Sequence, residues 1–273
     1  MDKKVIMVTG ASSGMGKDFV LHLLKKGHIV YGLARRVEKM QDIVQAGGKA
    51  IAMDVTDEAQ IKNAVDQILS EQGKVDVLIN NAGYPVYGTV EEVPIDQARQ
   101  QFEVNIFGLA SLTQKIIPSM REKKSGTIIN ISSMGGKMYT PIGAWYHATK
   151  HALEGWSDCL RIELQPFGVD VVIIEPGGIA TEFGNVFQEN LQGDVENGPY
   201  ASALQKIIQS TAEMNEKGRL SPPSVITNLI DKAVHSKKPK TRYVAGAYAK
   251  PLMFMRKYFG DRIFDRILMS QLQ

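Results

Sequence analysis

The stretch Lys4-Val-Ile-Met-Val-Thr-Gly-Ala-Ser-Ser-Gly-Met-Gly16 runs from an apolar strand into a glycine-rich turn, and a helical pattern follows it. Glycines at such a turn let the backbone approach a pyrophosphate, and the N–H groups at the start of the helix point toward the anion. The spacing of Gly10, Gly14 and Gly16 is one residue longer than the commoner dinucleotide fingerprint. A glycine-rich turn without a ligand is the alternative. Because the unit joins a strand to a helix and comes first in the chain, we predict a dinucleotide site.

The composition is that of a globular protein with a sizeable core. The chain has 273 residues, of which 44% are hydrophobic, and its 32 basic and 29 acidic side chains nearly balance. This balance excludes the electrostatic footprint of a nucleic-acid-binding protein. The single cysteine, Cys159, excludes an internal disulfide and a cysteine metal site, and no apolar run approaches the roughly 18 residues of a membrane-spanning helix. We therefore expect a cytoplasmic protein without a signal peptide and without metal ligands.

Strand-like apolar runs alternate with helical patterns along the chain. The strand-like runs lie at residues 5–8, 29–33, 50–53, 75–79, 127–131, 169–174 and 241–244, and the helical patterns at 19–26, 60–72, 94–121 and 145–166. Continuous Val and Ile runs indicate strands that are buried on both faces. The pattern therefore predicts an α/β fold with a doubly wound parallel sheet and helices on both faces. We expect one domain over residues 1–273, with an excursion at about 177–220 and a helical extension at about 247–273.

The end of the second strand indicates which dinucleotide binds. An NAD site places Asp or Glu there for the ribose hydroxyls, whereas this chain has Arg35 and Arg36. Guanidinium groups form bidentate, charge-assisted hydrogen bonds with phosphate, so the pair suits the 2′-phosphate of NADP. The nearest acid, Glu38, reads as the start of the next helix. Two solvated loop arginines are the alternative, and NADP(H) is favoured over NAD(H).

Two residues of the helical pattern at 145–166 carry the candidate chemistry. Tyr146 and Lys150 are four residues apart, so a helix places both on one face. A nearby ammonium lowers the pKa of a phenol from its usual value of about 10, which favours Tyr146 as a proton donor. The pair alone is a weak signal, because many amphipathic helices contain it. Ser133 lies thirteen residues upstream of Tyr146, at the end of a strand, and periodicity does not decide between it and Ser132.

Asn105 falls in line with an apolar stripe on the helical pattern at 94–121. The stripe consists of Ala98, Phe102, Leu109, Leu112 and Ile116. A buried amide needs hydrogen-bonding partners. Asn105 is therefore either a satisfied core group or the holder of a water molecule in a functional chain.

The full set of motifs, in this order, resembles the short-chain dehydrogenase/reductase family. The set consists of residues 9–16, Asn80-Asn81-Ala82-Gly83, Asn105, Ser133, Tyr146 and Lys150. The match covers roughly residues 3–182 and is far more specific than any one motif. The resemblance implies a Rossmann-type sheet of about seven strands, an NAD(P) cofactor, and hydride transfer between nicotinamide and a carbonyl or alcohol.

The resemblance also implies roles for individual residues. Tyr146 would donate the proton, Lys150 would lower its pKa and bind the nicotinamide ribose, and Ser133 would orient the carbonyl. Asn105 would hold a water that links Lys150 to solvent. The cofactor-binding residues that the family pattern implies are Gly10, Ser12, Ser13, Gly14, Met15, Gly16, Arg35, Arg36, Asp54, Val55, Asn81, Ala82, Gly83, Tyr146, Lys150, Pro176, Gly177 and Thr181.

Mostly apolar and aromatic residues fall around the substrate in the family pattern. They are Tyr84, Tyr87, Met138, Tyr139, Trp145, Phe183 and Phe187. Some of them are equally well explained as core packing, and apolar pockets are generic. We expect a small-molecule carbonyl or alcohol substrate of hydrophobic character, and a homo-oligomer, either dimer or tetramer.

The segment at residues 247–273 is basic and amphipathic, with five basic and two acidic side chains. We expect Gly260 to divide it into two short helices. A helix of this kind is able to lie on a membrane surface. We nevertheless expect its apolar face to cover the substrate cleft or a second subunit.

Two other functions use the same residues. A nucleotide-sensing protein would keep the cofactor site without turnover, but it has no need of the Ser133, Tyr146 and Lys150 set. A sugar-nucleotide epimerase or dehydratase uses the same Tyr and Lys, but too few residues follow Ile174 for its larger substrate domain. The prediction is therefore an NADP-dependent oxidoreductase.

Overall fold

A parallel sheet forms the centre of the protein. The structure is a computed structural model that describes residues 2–180 and 190–270, and within them the sheet has seven strands. The strands are β1 (Val5–Thr9), β2 (Ile29–Ala34), β3 (Lys49–Ala52), β4 (Val77–Asn80), β5 (Gly126–Ile131), β6 (Val169–Pro176) and β7 (Arg242–Ala245). Their order is β3-β2-β1-β4-β5-β6-β7, and every neighbouring pair is parallel. The predicted doubly wound sheet is confirmed.

Helices cover both faces of this sheet. They are α1 (Gly14–Lys25), α2 (Gln41–Gln45), α3 (Glu58–Gln72), α4 (Ile95–Phe102), α5 (Leu109–Glu122), α6 (Ala144–Leu164), α7 (Ala201–Glu216), α8 (Ser224–His235) and α9 (Ala249–Ser270). Alternate residues of β1 point to opposite faces. Ile6 and Val8 cluster with residues of α1 and α8, whereas Val5 and Met7 cluster with residues of α3, α5 and α6. Each fully buried side chain of this kind contributes roughly 1.5–3 kcal/mol to stability.

The winding of the sheet reverses between β1 and β4. β1 pairs with β2 on one side and with β4 on the other, so the connections that leave the carboxyl ends of β1 and β4 run in opposite directions. An open α/β sheet leaves a crevice at such a point, and ligands bind there. The topology therefore places the glycine-rich turn after β1 at the mouth of the crevice.

The helical pattern at residues 94–121 is interrupted in the structure. A π-helical turn, Glu103–Gly108, joins α4 to α5 and contains Asn105. Such turns occur frequently at functional sites. Gly108 packs closely on the segment after β3, since a Cβ atom there would lie 2.1 Å from the carbonyl oxygen of Val55. The helical pattern predicted at 94–121 is therefore present, and it contains a π-helical turn that periodicity does not indicate.

Two helices in the last third of the chain are not predicted from the sequence. α7 lies within the excursion expected at about 177–220, and α8 follows it. α7 is mostly polar, with Leu204 buried, whereas α8 buries Ile226 and Ile230 in the core. α9 contains the predicted break, because Gly260 has the non-helical torsion angles φ 72° and ψ 176°. In the part of the chain that the structure describes, no helix combines the length and hydrophobicity needed to cross a bilayer.

We expect Gly108→Ala to destabilise the fold, because the new methyl group meets the Val55 backbone, which has little freedom to move aside. Overpacking of this kind typically costs about 1–3 kcal/mol in the free energy of unfolding. Gly155→Ala in α6 is the matched control, since a Cβ atom there meets no described atom within 4 Å and Ala favours a helix by up to about 1 kcal/mol. Urea unfolding followed by circular dichroism measures both variants. Equal free energies of unfolding would contradict the close packing at Gly108.

Candidate active site

The glycine-rich turn between β1 and α1 is shaped for a ligand that lies close to the backbone. A side chain at Gly16 is excluded, because its Cβ would lie 2.3 Å from the carbonyl oxygen of Gly10. Gly14 has a left-handed φ of 53°, and a Cβ atom there would meet no described atom within 4 Å. The side chain of Ser13, the N-cap residue of α1, makes no capping hydrogen bond to the described backbone of the helix. The first N–H groups of α1 are thus available to an anion.

Thr9, at the end of β1, ties this turn to the loop after β4. Its Oγ1 accepts hydrogen bonds from the backbone N–H groups of Asn81 and Ala82, both at 3.0 Å. The Asn81 side chain donates to the backbone carbonyl of Thr9, also at 3.0 Å. We call these three bonds the Thr9–Asn81 clasp. From the sequence, Thr9 is named only as part of the motif at residues 9–16 and is given no role. A single polar residue at the end of an apolar strand could have indicated that its side chain binds a neighbouring loop.

A cleft of about 500 Å³ opens at the carboxyl ends of β1 to β4. The predicted cofactor residues that line it are Gly10, Ser12, Ser13, Gly14, Met15, Arg35, Arg36, Asp54, Val55, Asn81, Ala82 and Gly83. Lys39 and Tyr84 line it as well. Gly16 packs within the turn itself, and Thr181 lies outside the described residues. A cleft with a helix N-terminus and a glycine-rich turn at one end fits a dinucleotide.

Three cations surround the end of the cleft next to β2. Arg35 and Arg36 are exposed and line the cleft together with Lys39. The Arg36 Nη2 atom lies 3.4 Å from Ser13 Oγ, so this side chain reaches back toward the glycine-rich turn. Among residues 2–180 and 190–270, no carboxylate forms an ion pair with any of the three. Glu38, the nearest acid in sequence, lies in a 3₁₀ turn rather than in the lining of the cleft.

Tyr146, Lys150 and Ser133 come together where β5 ends beside α6. Tyr146 and Lys150 both lie in α6, and Lys150 Nζ is 5.9 Å from the centroid of the Tyr146 ring. Ser133 forms a hydrogen bond with Tyr146, and its Oγ also accepts from the N–H of Gly135 at 3.0 Å. Lys150 Nζ donates to the carbonyl oxygen of Ile131 at 2.9 Å, which anchors the ammonium to the end of β5.

Burial dominates the electrostatics of these groups. It raises the pKa of Tyr146 above its usual value, and the hydrogen bond with Ser133 offsets part of the rise. Burial also lowers the pKa of Lys150 to about 8, while the Glu154 carboxylate acts in the opposite direction. The lowering of the Tyr146 pKa expected from Lys150 does not prevail, because the ammonium bonds to Ile131 and both groups are desolvated. Tyr146 is therefore a protonated phenol at neutral pH.

Asn105 is buried in the π-helical turn, and protein groups satisfy its side chain. Its Oδ1 accepts from the N–H of Tyr84 at 3.1 Å, and its Nδ2 donates to the carbonyl of the same residue at 3.0 Å. The Nδ2 atom also lies 3.3 Å from Thr149 Oγ1, which donates to the carbonyl oxygen of Tyr146. Asn105 thus connects the cleft to the helix that carries Tyr146. These contacts fit a satisfied core amide, and the water relay stays a prediction.

A buried pair of carboxyl groups lies one turn beyond Lys150. Glu154 pairs with Lys137 at 2.9 Å and with Arg242 at 3.0 Å, and Arg242 lies 3.4 Å from Glu175 on β6. One oxygen of each carboxyl group, Glu154 Oε1 and Glu175 Oε1, makes no hydrogen bond to a described donor. Burial and the neighbouring Glu154 raise the pKa of Glu175 to about 7. A proton shared between the two carboxyl groups accounts for both observations.

The residues expected around the substrate do not all lie together. The Tyr87 ring is centred 5.6 Å from the Tyr146 ring, and the backbone of Tyr87 bonds to residues 190 and 192. Tyr84 lines the cofactor cleft, whereas Trp145 lines a separate cavity of about 220 Å³ beside α4. The remaining members are Met138 and Tyr139, which pack against α9, and Phe183 and Phe187, which lie outside the described residues.

The chain that follows β6 is joined to the start of α9. The N–H of Gly178 donates to the carbonyl oxygen of Ala247 at 2.8 Å, and the N–H of Ala247 donates back at 3.2 Å. Gly177 lies so close that a Cβ atom would be 2.3 Å from the same Ala247 oxygen. Pro176 ends β6 directly before this contact. The segment that contains the predicted cofactor residues Pro176 and Gly177 is therefore held by the C-terminal part of the chain.

Known proteins are similar to this chain over most of its length. The family model for short chain dehydrogenases matches residues 4–192. A 3-ketodihydrosphingosine reductase from Bacteroides thetaiotaomicron is 35% identical over 258 residues, which cover 94% of this chain and 93% of that protein. An NADPH-dependent 3-dehydrocapnine reductase from Ornithobacterium rhinotracheale is 35% identical over 280 residues, which cover 98% of this chain and 96% of that protein.

A solved structure agrees over nearly the whole length. The crystal structure of a short-chain dehydrogenase from Streptomyces avermitilis has a TM-score of 0.83 and 34% identity, and the match covers 98% of this chain and 96% of that one. The fold and the cleft define the class of Rossmann-type oxidoreductases that bind a nicotinamide cofactor. Within this class, the chain belongs to the short-chain dehydrogenase/reductase family.

We expect Glu175→Gln to change how stability depends on pH. Because its pKa rises from 4.5 to about 7 on folding, Glu175 keeps a proton that the unfolded chain has lost. The stability that this proton contributes is full below the unfolded pKa of 4.5 and is lost as pH rises through about 7, by up to about 3 kcal/mol. Glutamine resembles the protonated form and does not titrate, so this fall in stability with rising pH is absent from the variant.

Urea unfolding at several pH values between about 5 and about 8 measures the difference. Glu122→Gln, at an exposed position of α5, is the matched control and leaves the pH dependence unchanged. If wild type and Glu175→Gln lose stability in parallel across this range, the shared proton is ruled out.

Proposed function

We propose that this protein is an NADP(H)-dependent oxidoreductase that transfers a hydride between nicotinamide and the carbonyl or secondary alcohol of a hydrophobic small molecule. One observation carries the proposal. Ser133 is hydrogen-bonded to Tyr146, with Lys150 one turn further along the same helix, and Ser133 follows β5, the strand next to those that border the cleft. Two adjacent hydroxyl groups are suited to bind one carbonyl oxygen, and a phenol among them supplies a proton.

The chain's own groups account for the proton in this reaction. In the reducing direction, bound NADPH supplies the hydride. Tyr146 donates a proton to the substrate oxygen as negative charge develops there, and its raised pKa keeps that proton in place beforehand. Ser133 orients and polarises the carbonyl. Lys150 is an ammonium below its pKa of about 8, and it stabilises the phenolate that Tyr146 becomes.

The charges at the end of β2 support NADP(H) over NAD(H). Arg35, Arg36 and Lys39 line the same end of the cleft, and guanidinium groups bind phosphate through bidentate hydrogen bonds. A relative of 35% identity is named as NADPH-dependent. The glycine-rich turn and the loop held by the Thr9–Asn81 clasp would hold the remainder of the dinucleotide.

A lipid-derived ketone is the substrate class that we place first. The two relatives described above are named for the reduction of 3-ketodihydrosphingosine and of 3-dehydrocapnine. In this chain, the Tyr87 ring beside Tyr146 supports a hydrophobic partner. The homo-oligomer implied by the family, a dimer or tetramer, stays a prediction that analytical ultracentrifugation tests.

We expect Tyr146→Phe to lower kcat/KM for ketone reduction by about a hundredfold to ten-thousandfold, because the variant has no phenol proton to donate. The loss of NADPH absorbance with 3-ketodihydrosphingosine as the first ketone measures the rate, and cofactor fluorescence measures NADPH affinity, which is expected to stay within a few fold. Tyr200→Phe is the matched control, since its hydroxyl donates to Glu91 at 2.8 Å away from the site. A near-normal rate of ketone reduction by Tyr146→Phe would show that Tyr146 is not the proton donor.

We expect Arg35→Ala and Arg36→Ala to weaken NADPH binding by about tenfold or more each, since a charge-assisted hydrogen bond is worth about 1.5–3 kcal/mol. NADH affinity is expected to change little, because NADH lacks the 2′-phosphate. Lys62→Ala on α3 removes the same charge from an exposed position outside the cleft and serves as the control. Fluorescence titration with both cofactors measures the affinities. A wild-type preference for NADH would overturn the choice of cofactor.

A further inference from the structure

The outer face of α9 carries cations and aromatic rings that the proposed reaction does not use. Lys250, Phe254, Lys257 and Tyr258 recur at positions i, i+4, i+7 and i+8 and therefore share one face of the helix. The exposed fractions of Phe254, Tyr258 and Phe259 are 56%, 63% and 52%. Single exposed apolar residues are ordinary, but several together indicate an interaction surface.

The three aromatic rings form one cluster. The Phe254 ring is centred 4.7 Å from the Tyr258 ring and 6.2 Å from the Phe259 ring. Lys257 Nζ lies 5.2 Å from the centroid of the Tyr258 ring. We call Phe254, Tyr258 and Phe259 the α9 aromatic cluster. It combines large apolar area with a cation at its edge.

The acidic side chains of α9 are engaged elsewhere. Asp261 pairs with Arg256 at 2.6 Å, and Asp265 accepts a hydrogen bond from the Tyr139 hydroxyl at 2.8 Å. The exposed cations of α9 without an ion pair to a described carboxylate are Lys250, Lys257, Arg262 and Arg266. The outer face therefore combines the α9 aromatic cluster with Lys250 and Lys257, and Arg262 and Arg266 are exposed on the helix beyond the break at Gly260.

The opposite face of α9 packs on the protein itself. Phe264 and Leu268 are buried in a cluster with Met138, against which Leu252 and Met255 also pack. Met138 belongs to the segment between Ser133 and the start of α6. The expectation that the apolar face of α9 covers the substrate cleft or a second subunit stays a prediction. The inner face packs around Met138, and the α9 aromatic cluster is left on the outside.

We propose that the outer face of α9 docks on an anionic membrane surface. Aromatic rings and the long stems of Lys and Arg place apolar atoms among lipid chains while their polar ends stay at the headgroups. Anionic headgroups attract the exposed cations. The inference goes beyond the proposed function and does not require it to be correct, although a membrane is where a lipid-derived ketone would be met.

A second copy of the chain fits this face less well than a membrane does. A two-fold contact places the face against itself, so Lys250 and Lys257 of one copy would meet those of the other. Charged residues, and lysine in particular, are depleted from the centre of protein interfaces. The net positive charge favours a partner whose surface is negative and continuous.

Sedimentation of the full chain with lipid vesicles tests the proposal without cofactor or substrate, so the result is independent of catalysis. One set of vesicles contains phosphatidylcholine alone, and the other contains equal parts of phosphatidylcholine and phosphatidylglycerol. We expect binding to the second set only, and weaker binding at high salt because screening shortens the reach of the charges. Absence of binding, or equal binding to both sets, overturns the proposal.

Substitutions test whether vesicle binding depends on this face or on exposed hydrophobic side chains in general. We expect Phe254→Ser to weaken vesicle binding by about tenfold and Lys257→Glu to weaken it by about fivefold or more. Phe107→Ser is the matched control, since Phe107 is also 56% exposed but lies in the π-helical turn, and it leaves binding unchanged. Circular dichroism checks that each variant is folded. Equal effects of Phe254→Ser and Phe107→Ser on vesicle binding overturn the assignment. If the protein does not bind vesicles and Phe254→Ser dissociates an oligomer, the face belongs to a contact with a second copy.

Discussion

The Thr9–Asn81 clasp is the constraint on which the cofactor cleft depends. The connections after β1 and β4 run in opposite directions, and without a tie nothing fixes their separation. Thr9 is buried, so its Oγ1 and the two N–H groups that it accepts from need one another in place of water. The same closeness explains why residue 10 is glycine, since a Cβ atom there would lie 2.9 Å from the Cα of Ala82. The closeness of the two loops and the glycine at position 10 follow from one contact.

Along α6, polar groups of different charge recur every four residues. Tyr146, Lys150, Glu154 and Asp158 therefore lie on one stripe, and Arg242 binds the last two. Burial moves the pKa of each of the first two groups toward its neutral form. The carboxylate behind Lys150 counteracts this shift for the ammonium. Burial thus sets the protonation of Tyr146 together with Ser133, and burial opposed by Glu154 sets that of Lys150.

The sequence predicts the sheet and the cleft well because both depend on local patterns. Continuous Val and Ile runs mark β1, β5 and β6, and the glycine spacing marks the turn that is predicted to bind the dinucleotide. Features that depend on distant contacts are missed. The π-helical turn packs on a loop some fifty residues earlier in the chain, as its contact between Gly108 and Val55 shows. α7 is as amphipathic as α6, so its periodicity is a usable signal that the prediction of a loose excursion passes over. The pairing of Glu154 with Glu175 is not visible in the sequence, because it depends on the packing of α6 against β6, and the raised pKa of Glu175 depends on that packing.

The two hydrogen bonds between Gly178 and Ala247 make the chain after β6 and the root of α9 parts of a single equilibrium. A change in the position of α9 that alters these two hydrogen bonds would also alter the position of the segment after β6. Thermodynamic linkage requires such coupling to be reciprocal. If docking of α9 changes the affinity for the dinucleotide by some factor, the dinucleotide changes the affinity of docking by the same factor. The junction is thus the place where an allosteric connection between the C-terminal helix and the cleft would reside.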